Sequence, residues 1–481
     1  MRFLGLMGEG RNVVLGLNLL MFVAGLVAMG SGTLVGMMGI WGAAAWGKPV
    51  PEWEKVGHAH SSWWGILIMI AALLLPSLRL KPWAKKLIIA GTFIGPTLWI
   101  GVLATYYEIG GPSLWRFEAV TAPGTYYELP VIGLAASGLE FLGFVALGIV
   151  ALSAIGVNIP LLSTKEHPQK SRLEFLSNIE VPRRVFLVPT ISIIVSVVAG
   201  FGISALFKAT HSPISPAALV QLHDHAAMFA ASSMLILLTM YVLDVKERVR
   251  VLALRLMEIS LPLIIVGLIA FNLLGLPSIV WVAPAGIYYL LLLLAFPASL
   301  GIYARKGLEQ AEPVAGAYRI AFAVVFAGLA ILVATGAYIA VNWNTSPDIT
   351  VTYKQPEGTP YPGPYPAEYI GTAPVKGTPR GLENAHLSPG SWYHAAVAWL
   401  LTLSVFGTVL FGRNRPGLLY LFAFTIPLAP TFNMLGRYLA WLGIPNGIGA
   451  LWFAGHPLKG FNLISLFVVA VAMAIIISRR K

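Results

Sequence analysis

The sequence predicts an all-α integral membrane protein of about twelve transmembrane helices, arranged as three four-helix arcs with pseudo-threefold order. Three observations predict it. Hydrophobic residues make up 57% of the 481 positions and charged residues 11%, against about 25% charged in an ordinary soluble domain. Apolar runs of about 20 residues, the length that crosses a bilayer, recur along the whole chain. Five of the nine histidines open three of those runs, four runs apart.

The runs place spans at 13–46, 58–80, 84–106, 130–157, 184–207, 216–243, 252–275, 277–304, 315–343, 390–412, 416–442 and 460–478. The first follows MRFLGLMGEGRNVV, which has no short apolar region ending at a small-residue cleavage site, so it reads as a span and not a removed signal. The loop charges test the count. One set of loops carries Arg79, Lys81, Lys85 and Lys86; Lys165, Lys170, Arg172, Arg183 and Arg184; Lys246, Arg248, Arg250 and Arg255; Arg305 and Lys306; Arg413 and Arg415; and Arg479, Arg480 and Lys481. The alternate set holds Glu52, Glu54, Glu118, Glu128, Asp348 and Glu368. The positive-inside rule then puts both termini in the cytoplasm of a cell whose plasma membrane the chain spans. The net charge of +12 is a topology signal, and a nucleic-acid partner is excluded because no soluble domain carries a basic patch. The absence of cysteine removes disulfides, thiolate-bound clusters and cysteine nucleophiles.

With this orientation, helices two, six and ten all run from outside to inside. His58 and His60 (VGHAHSSWWG), His223 and His225 (QLHDHAAMF) and His394 (SWYHAAVAW) sit in their first turns, at one depth near the outer face. A cluster every four helices implies an internal repeat, faintly echoed by a following aromatic residue: His60 with Trp64, His225 with Phe229, His394 with Trp399. Imidazoles at a fixed depth in a bundle are a common means of holding haem iron or a transition metal. Residues two apart point roughly 200° apart on a helix, so only one member of each His-x-His pair can face a given ligand. Asp224 is placed to orient a ligand histidine. The competing reading is histidine that only packs at the interface. His167 and His386 read as solvated loop residues, while His211 and His456 lie in outer turns.

Acids inside the membrane are functional candidates by default. Glu140 (AASGLEFLGF) is mid-span on helix four and reads as a proton relay or a non-haem metal ligand; Glu258 (LRLMEISLP) pairs with Arg255 one turn away. The long outer loop 344–389 is rich in Pro, Gly and Tyr, so it forms extended or turn structure. It leads into the His394 helix, and it offers a docking surface to an outer-side cupredoxin or cytochrome, as does the aromatic loop around 108–128. The chain reads as a single membrane domain, 1–481, with no redox domain of its own, so a redox role requires such a partner, a quinol, or other membrane subunits.

Twelve spans, cytoplasmic termini and outer-side histidines on helices two and ten resemble the catalytic subunit of the haem–copper oxidase and nitric oxide reductase superfamily. The resemblance covers nearly the whole chain in topology and only short motifs in sequence. It implies a low-spin haem b held by His60 or His58 with His394, and propionates met by Arg437 in TFNMLGRYLAWLG on helix eleven. The departures are specific. Where the family has a second histidine on helix ten, for a high-spin haem, this chain has Trp392. Helix seven, VLALRLMEISLPLIIVGLIAFNLLG, has none of the family's copper histidines, and His223 and His225 are followed four residues later by Ala227 and Phe229 where the family has a tyrosine. These departures speak against a standard copper centre and leave His223 and His225 for a rebuilt second haem or metal site. The expectation is a divergent haem-b oxidoreductase subunit, of the terminal oxidase or nitric oxide reductase type. The alternatives are a twelve-span secondary transporter and a cofactor-free structural subunit of a membrane complex.

Overall fold

The computed structural model describes residues 19–30, 52–97, 131–164, 171–174, 179–208, 216–304, 313–345, 347–354, 368–375, 377–410, 416–444 and 447–478. Within them the chain forms helices α1 (Leu19–Gly30), α2 (Glu52–Leu74), α3 (Pro82–Thr92), α4 (Val131–Ala154), α5 (Arg184–Lys208), α6 (Pro216–Val242), α7 (Glu247–Leu274), α8 (Ile279–Ser299), α9 (Pro313–Val341), α10 (Glu383–Leu410), α11 (Pro416–Trp441) and α12 (Gly447–Ser478). Segments of α2, α6, α7, α8, α9 and α12 are long and apolar enough to cross a membrane. The chain is an all-α, multi-pass membrane protein with two small hairpins in its loops.

The three histidine helices form the centre. α2, α6 and α10 each pack against the other two. Their sequences allow it: Ser61 and Ser62 on α2, Ala230, Ala231, Ser232 and Ser233 on α6, and Ala395, Ala396 and Ala398 on α10 are all buried, and small side chains let helix backbones approach closely in a membrane bundle. The surrounding helices bury only one side. On α5, Leu187, Ile191, Ile194 and Val198 are exposed, spaced by four, three and four residues as a single stripe. Exposed large apolar residues recur the same way on α7, α8, α9 and α12, the pattern of a belt turned toward lipid tails.

The four-helix repeat is visible in the loops. Between α2 and α3 the Lys81 amide donates to Leu162 O, beyond α4, at 2.8 Å. Four helices later the Lys246 amide, between α6 and α7, donates to Tyr303 O, beyond α8, at 2.8 Å. Each contact accompanies an antiparallel bridge, Leu80 with Ser163 and Val245 with Ala304. Helix contacts shift by the same step: α2 on α4 matches α6 on α8, and α5 on α7 matches α9 on α11.

Loop cations also finish helices. Lys85 Nζ donates to Pro76 O at 2.9 Å, Arg183 to Ser153 O and Ala154 O at 2.8 Å each, and Arg319 to Leu243 O at 3.0 Å. These carbonyls lie at or just beyond the ends of α2, α4 and α6, where helices leave acceptors unpaired and cations favoured. α7 stops at Leu274 because Gly275 takes the left-handed conformation at φ +66°.

Several boundaries differ from the sequence expectation. α10 begins at Glu383, seven residues before the predicted span, so ENAHLSPG is helix and not loop; Glu383 is favoured in a first turn and the segment docks on α9. α12 begins at Gly447 and α7 at Glu247. α3 gives way to a π-helical turn at Phe93–Thr97 around Pro96, whose ring cannot donate to the ladder. The long loop before α10 contains an antiparallel hairpin, β3 (Asp348–Lys354) with β4 (Glu368–Pro374), in keeping with an extended segment; the short β1 (Arg172–Glu174) and β2 (Glu180–Pro182) pair in the loop between α4 and α5.

Candidate functional site: a layer of imidazoles

α5 and α6 together fix His223. Its Nδ1 donates to Ser196 O at 2.7 Å, and the Ser196 hydroxyl donates back to His223 O at 2.7 Å. One turn further along α5, Gly200 makes the space: a Cβ there would meet His223 Cε1 at 2.9 Å and Nδ1 at 3.0 Å. Because a carbonyl can only accept, Nδ1 carries a proton and Nε2 is turned away from Ser196. That Nε2 is 3.4 Å from Nε2 of His60 on α2.

His225, two residues on, faces elsewhere, as the helical geometry requires. Its Nδ1 donates to Gln221 O one turn back, at 3.0 Å, and its ring meets Trp281 of α8 at 5.4 Å between centroids. His394 repeats this local arrangement on α10, with Nδ1 donating to Gly390 O at 2.7 Å. Its ring lies 5.2 Å from Trp63 of α2. Trp63 is three residues after His60 and so shares its face of the helix. Asp224 is exposed.

His386 corrects the sequence expectation. It is not a solvated loop residue but belongs to α10, with Nδ1 donating to Leu332 O on α9 at 2.9 Å. Gly336, one turn beyond Leu332, leaves the room its ring fills. The carbonyl and the glycine four residues later are built as at Ser196 and Gly200. That pattern was present in the sequence, but it speaks only once the helix opposite is known. The backbones of His58 and Glu140 lie in α2 and α4, while their side chains, and the whole of His167, His211 and the loop around 108–128, are outside the described residues.

Near the C-terminal end of α11, Arg437 Nε donates to Asn433 Oδ1 at 3.0 Å, and Asn433 Nδ2 donates to Ser388 Oγ of α10 at 3.1 Å. No carboxylate pairs with Arg437 among the described residues. Glu258, by contrast, is well compensated: Arg255 reaches it as expected, at 3.3 Å, and Arg184 of α5 more closely, at 2.7 Å.

Comparison with protein-family models, with curated proteins and with solved structures finds no match to this chain. The site must therefore be read from its own chemistry. Among the described residues no three metal-ligating side chains converge; His60 and His223 face each other as a pair.

Sequence reasoning passed over Lys459. It is 3% exposed on α12, with Nζ 4.3 Å above the ring of Trp392, whose other neighbour is His456 at 4.7 Å. A cation over an indole gains about 2 kcal/mol at best, whereas burying an ion costs several kcal/mol. Lys459→Met is therefore expected to raise the melting temperature of the detergent-solubilised protein. A clear fall would show that the amine holds an anion there.

Proposed function

We propose that the chain is a twelve-span, haem-b-binding subunit of a plasma-membrane electron-transfer complex, with its termini in the cytoplasm, and acts as an oxidoreductase or as the electron carrier of one. One observation carries the reading. Four imidazoles, those of His223, His225, His386 and His394, each donate Nδ1–H to a backbone carbonyl. Metal-ligating histidines are held in this way, which fixes the tautomer and raises the basicity of Nε2.

The donor set suits haem. The porphyrin supplies four equatorial nitrogens, so iron needs two axial imidazoles from the protein and no larger cage. The resemblance implies a ligand from α2 and His394 from α10. The contact of Trp63 with His394 favours His60 as the α2 ligand, since Trp63 lies one turn after His60 on the same face of the helix. Arg437, held by Asn433 and lacking a carboxylate partner among the described residues, suits a propionate. Haem, once bound, supplies one-electron chemistry; the chain's residues fix it, set its polarity and keep water from it. The β3–β4 hairpin leads into α10 on the outer side, where a cupredoxin, a cytochrome or a quinol would deliver electrons.

A dithionite-reduced minus oxidised spectrum of the purified protein, with a pyridine haemochrome assay, tests this. Sharp low-spin α-bands at stoichiometric haem b are expected. A colourless protein, isolated with its partner subunits and without stripping, would end the haem reading; solute uptake by proteoliposomes would then identify a transporter.

A further inference from the structure

We propose that His60 and His223 are the two trans ligands of one transition-metal ion bridging α2 and α6, so that the partner of His60 is His223 and not the α10 histidine that the resemblance implies. With haem iron as the ion this deepens the reading above and rests on it; a bare ion would satisfy it equally.

The geometry is that of co-ligands. The ring centroids are 5.6 Å apart with an interplanar angle of 33°, while the Nε2 atoms are 3.4 Å apart. The nitrogens therefore lie between the rings, roughly on the line joining them, and the rings are not stacked. A hydrogen bond between them is poorly served, because N–H donors prefer about 2.7–3.2 Å. An imidazole nitrogen binds a transition metal at about 2.0–2.1 Å, which sets two ligands about 3.4 Å apart at a tetrahedral angle and about 4 Å apart when trans. The 3.4 Å separation is that of a tetrahedral pair, and the two nitrogens would have to part by about 0.7 Å to become trans.

The surroundings are built for it. Ser196 grips His223 at the ring and at the backbone, and Gly200 leaves the only space in which that ring orientation fits. The same carbonyl and glycine, four residues apart, hold His386 from Leu332 and Gly336. A cradle used twice, at related places in a repeated fold, is a feature of the architecture and not an accident of packing.

The test uses the full-length protein in detergent with whatever it carries. Iron, copper and zinc content, haemochrome stoichiometry and the low-temperature electron paramagnetic resonance signature are measured for wild type, His223→Ala, Gly200→Ala and His394→Ala. The expected result is a bis-imidazole signature in wild type and in His394→Ala, and at least a tenfold loss of occupancy in the other two. If the alanine variants fold poorly, His223→Met retains an axial donor and should convert the signature to imidazole–thioether at wild-type stoichiometry. Protein isolated metal-free is titrated with haem b and with Co(II), and binding should require His223. A bis-imidazole signature, or Co(II) binding, that ignores every His223 substitution would overturn the assignment. Haem that depends on His394 but not His223 would sink this inference and leave the haem reading standing; a His223-dependent ion without haem would do the reverse.

Discussion

If the chain binds haem b as proposed, His60→Ala should abolish its low-spin spectrum, with at least a tenfold loss of bound haem at equal protein. His60 is the residue on which the alternatives converge: it faces His223 across α6, and its helix face also carries Trp63 against His394. Whichever of the two completes the axial pair, removing His60 leaves one imidazole, and a single axial ligand gives a high-spin, loosely held haem. The fold should survive, because neighbouring Ser61, Ser62 and Trp64 stay buried and continue to pack. Any drop in melting temperature should match that of wild type stripped of haem, since a ligand that binds only the folded state contributes its binding energy to stability. Circular dichroism and a haemochrome assay on the same sample decide it. Unchanged α-bands in a folded His60→Ala protein would remove α2 from the site.

Gly267→Ala should be the most damaging single methyl group in the described bundle. α7 and α8 meet so closely at this point that a Cβ would lie 2.7 Å from Trp281 Cα and 2.8 Å from its Cβ, and against the carbonyl oxygen of Val280. Those atoms are backbone or fixed to it, so no flexible side chain can yield. Overpacking a tight interior typically costs about 1–3 kcal/mol, and contact with main chain places this substitution at the upper end. The effect should also reach the histidines, because Trp281 is the aromatic wall beside His225. Gly286→Ala on α8 is the matched control: nothing lies within 4 Å of its Cβ position, and replacing a helical glycine there should stabilise by about 0.5–1 kcal/mol. Thermal unfolding of the three proteins in one detergent gives both values. Equal melting temperatures for Gly267→Ala and wild type would show that the helix pair can separate at little cost.

The all-α membrane class was legible because apolar run length is a one-dimensional quantity that needs no partner helix, and six of the described helices are long and apolar enough to cross a membrane. The central trio was legible in outline for the same reason: histidines every four helices pointed to a repeat, and the paired contacts of Lys81 with Leu162 and of Lys246 with Tyr303 show that repeat in the backbone. His386 was misjudged because its segment, ENAHLSPG, is polar and contains a proline; local composition indicates a loop, and only docking against Leu332 and Gly336 makes it helix.

What the sequence by itself determined is that the chain is an all-α membrane protein, since apolar run length and composition are read along one chain. Only the tertiary structure decided which imidazoles meet. Two histidines on one helix point in different directions, and whether His60 faces His223 depends on the rotation of α2 against α6. The place of the His223 ring in turn depends on α5, where the missing Cβ of Gly200 leaves room for it.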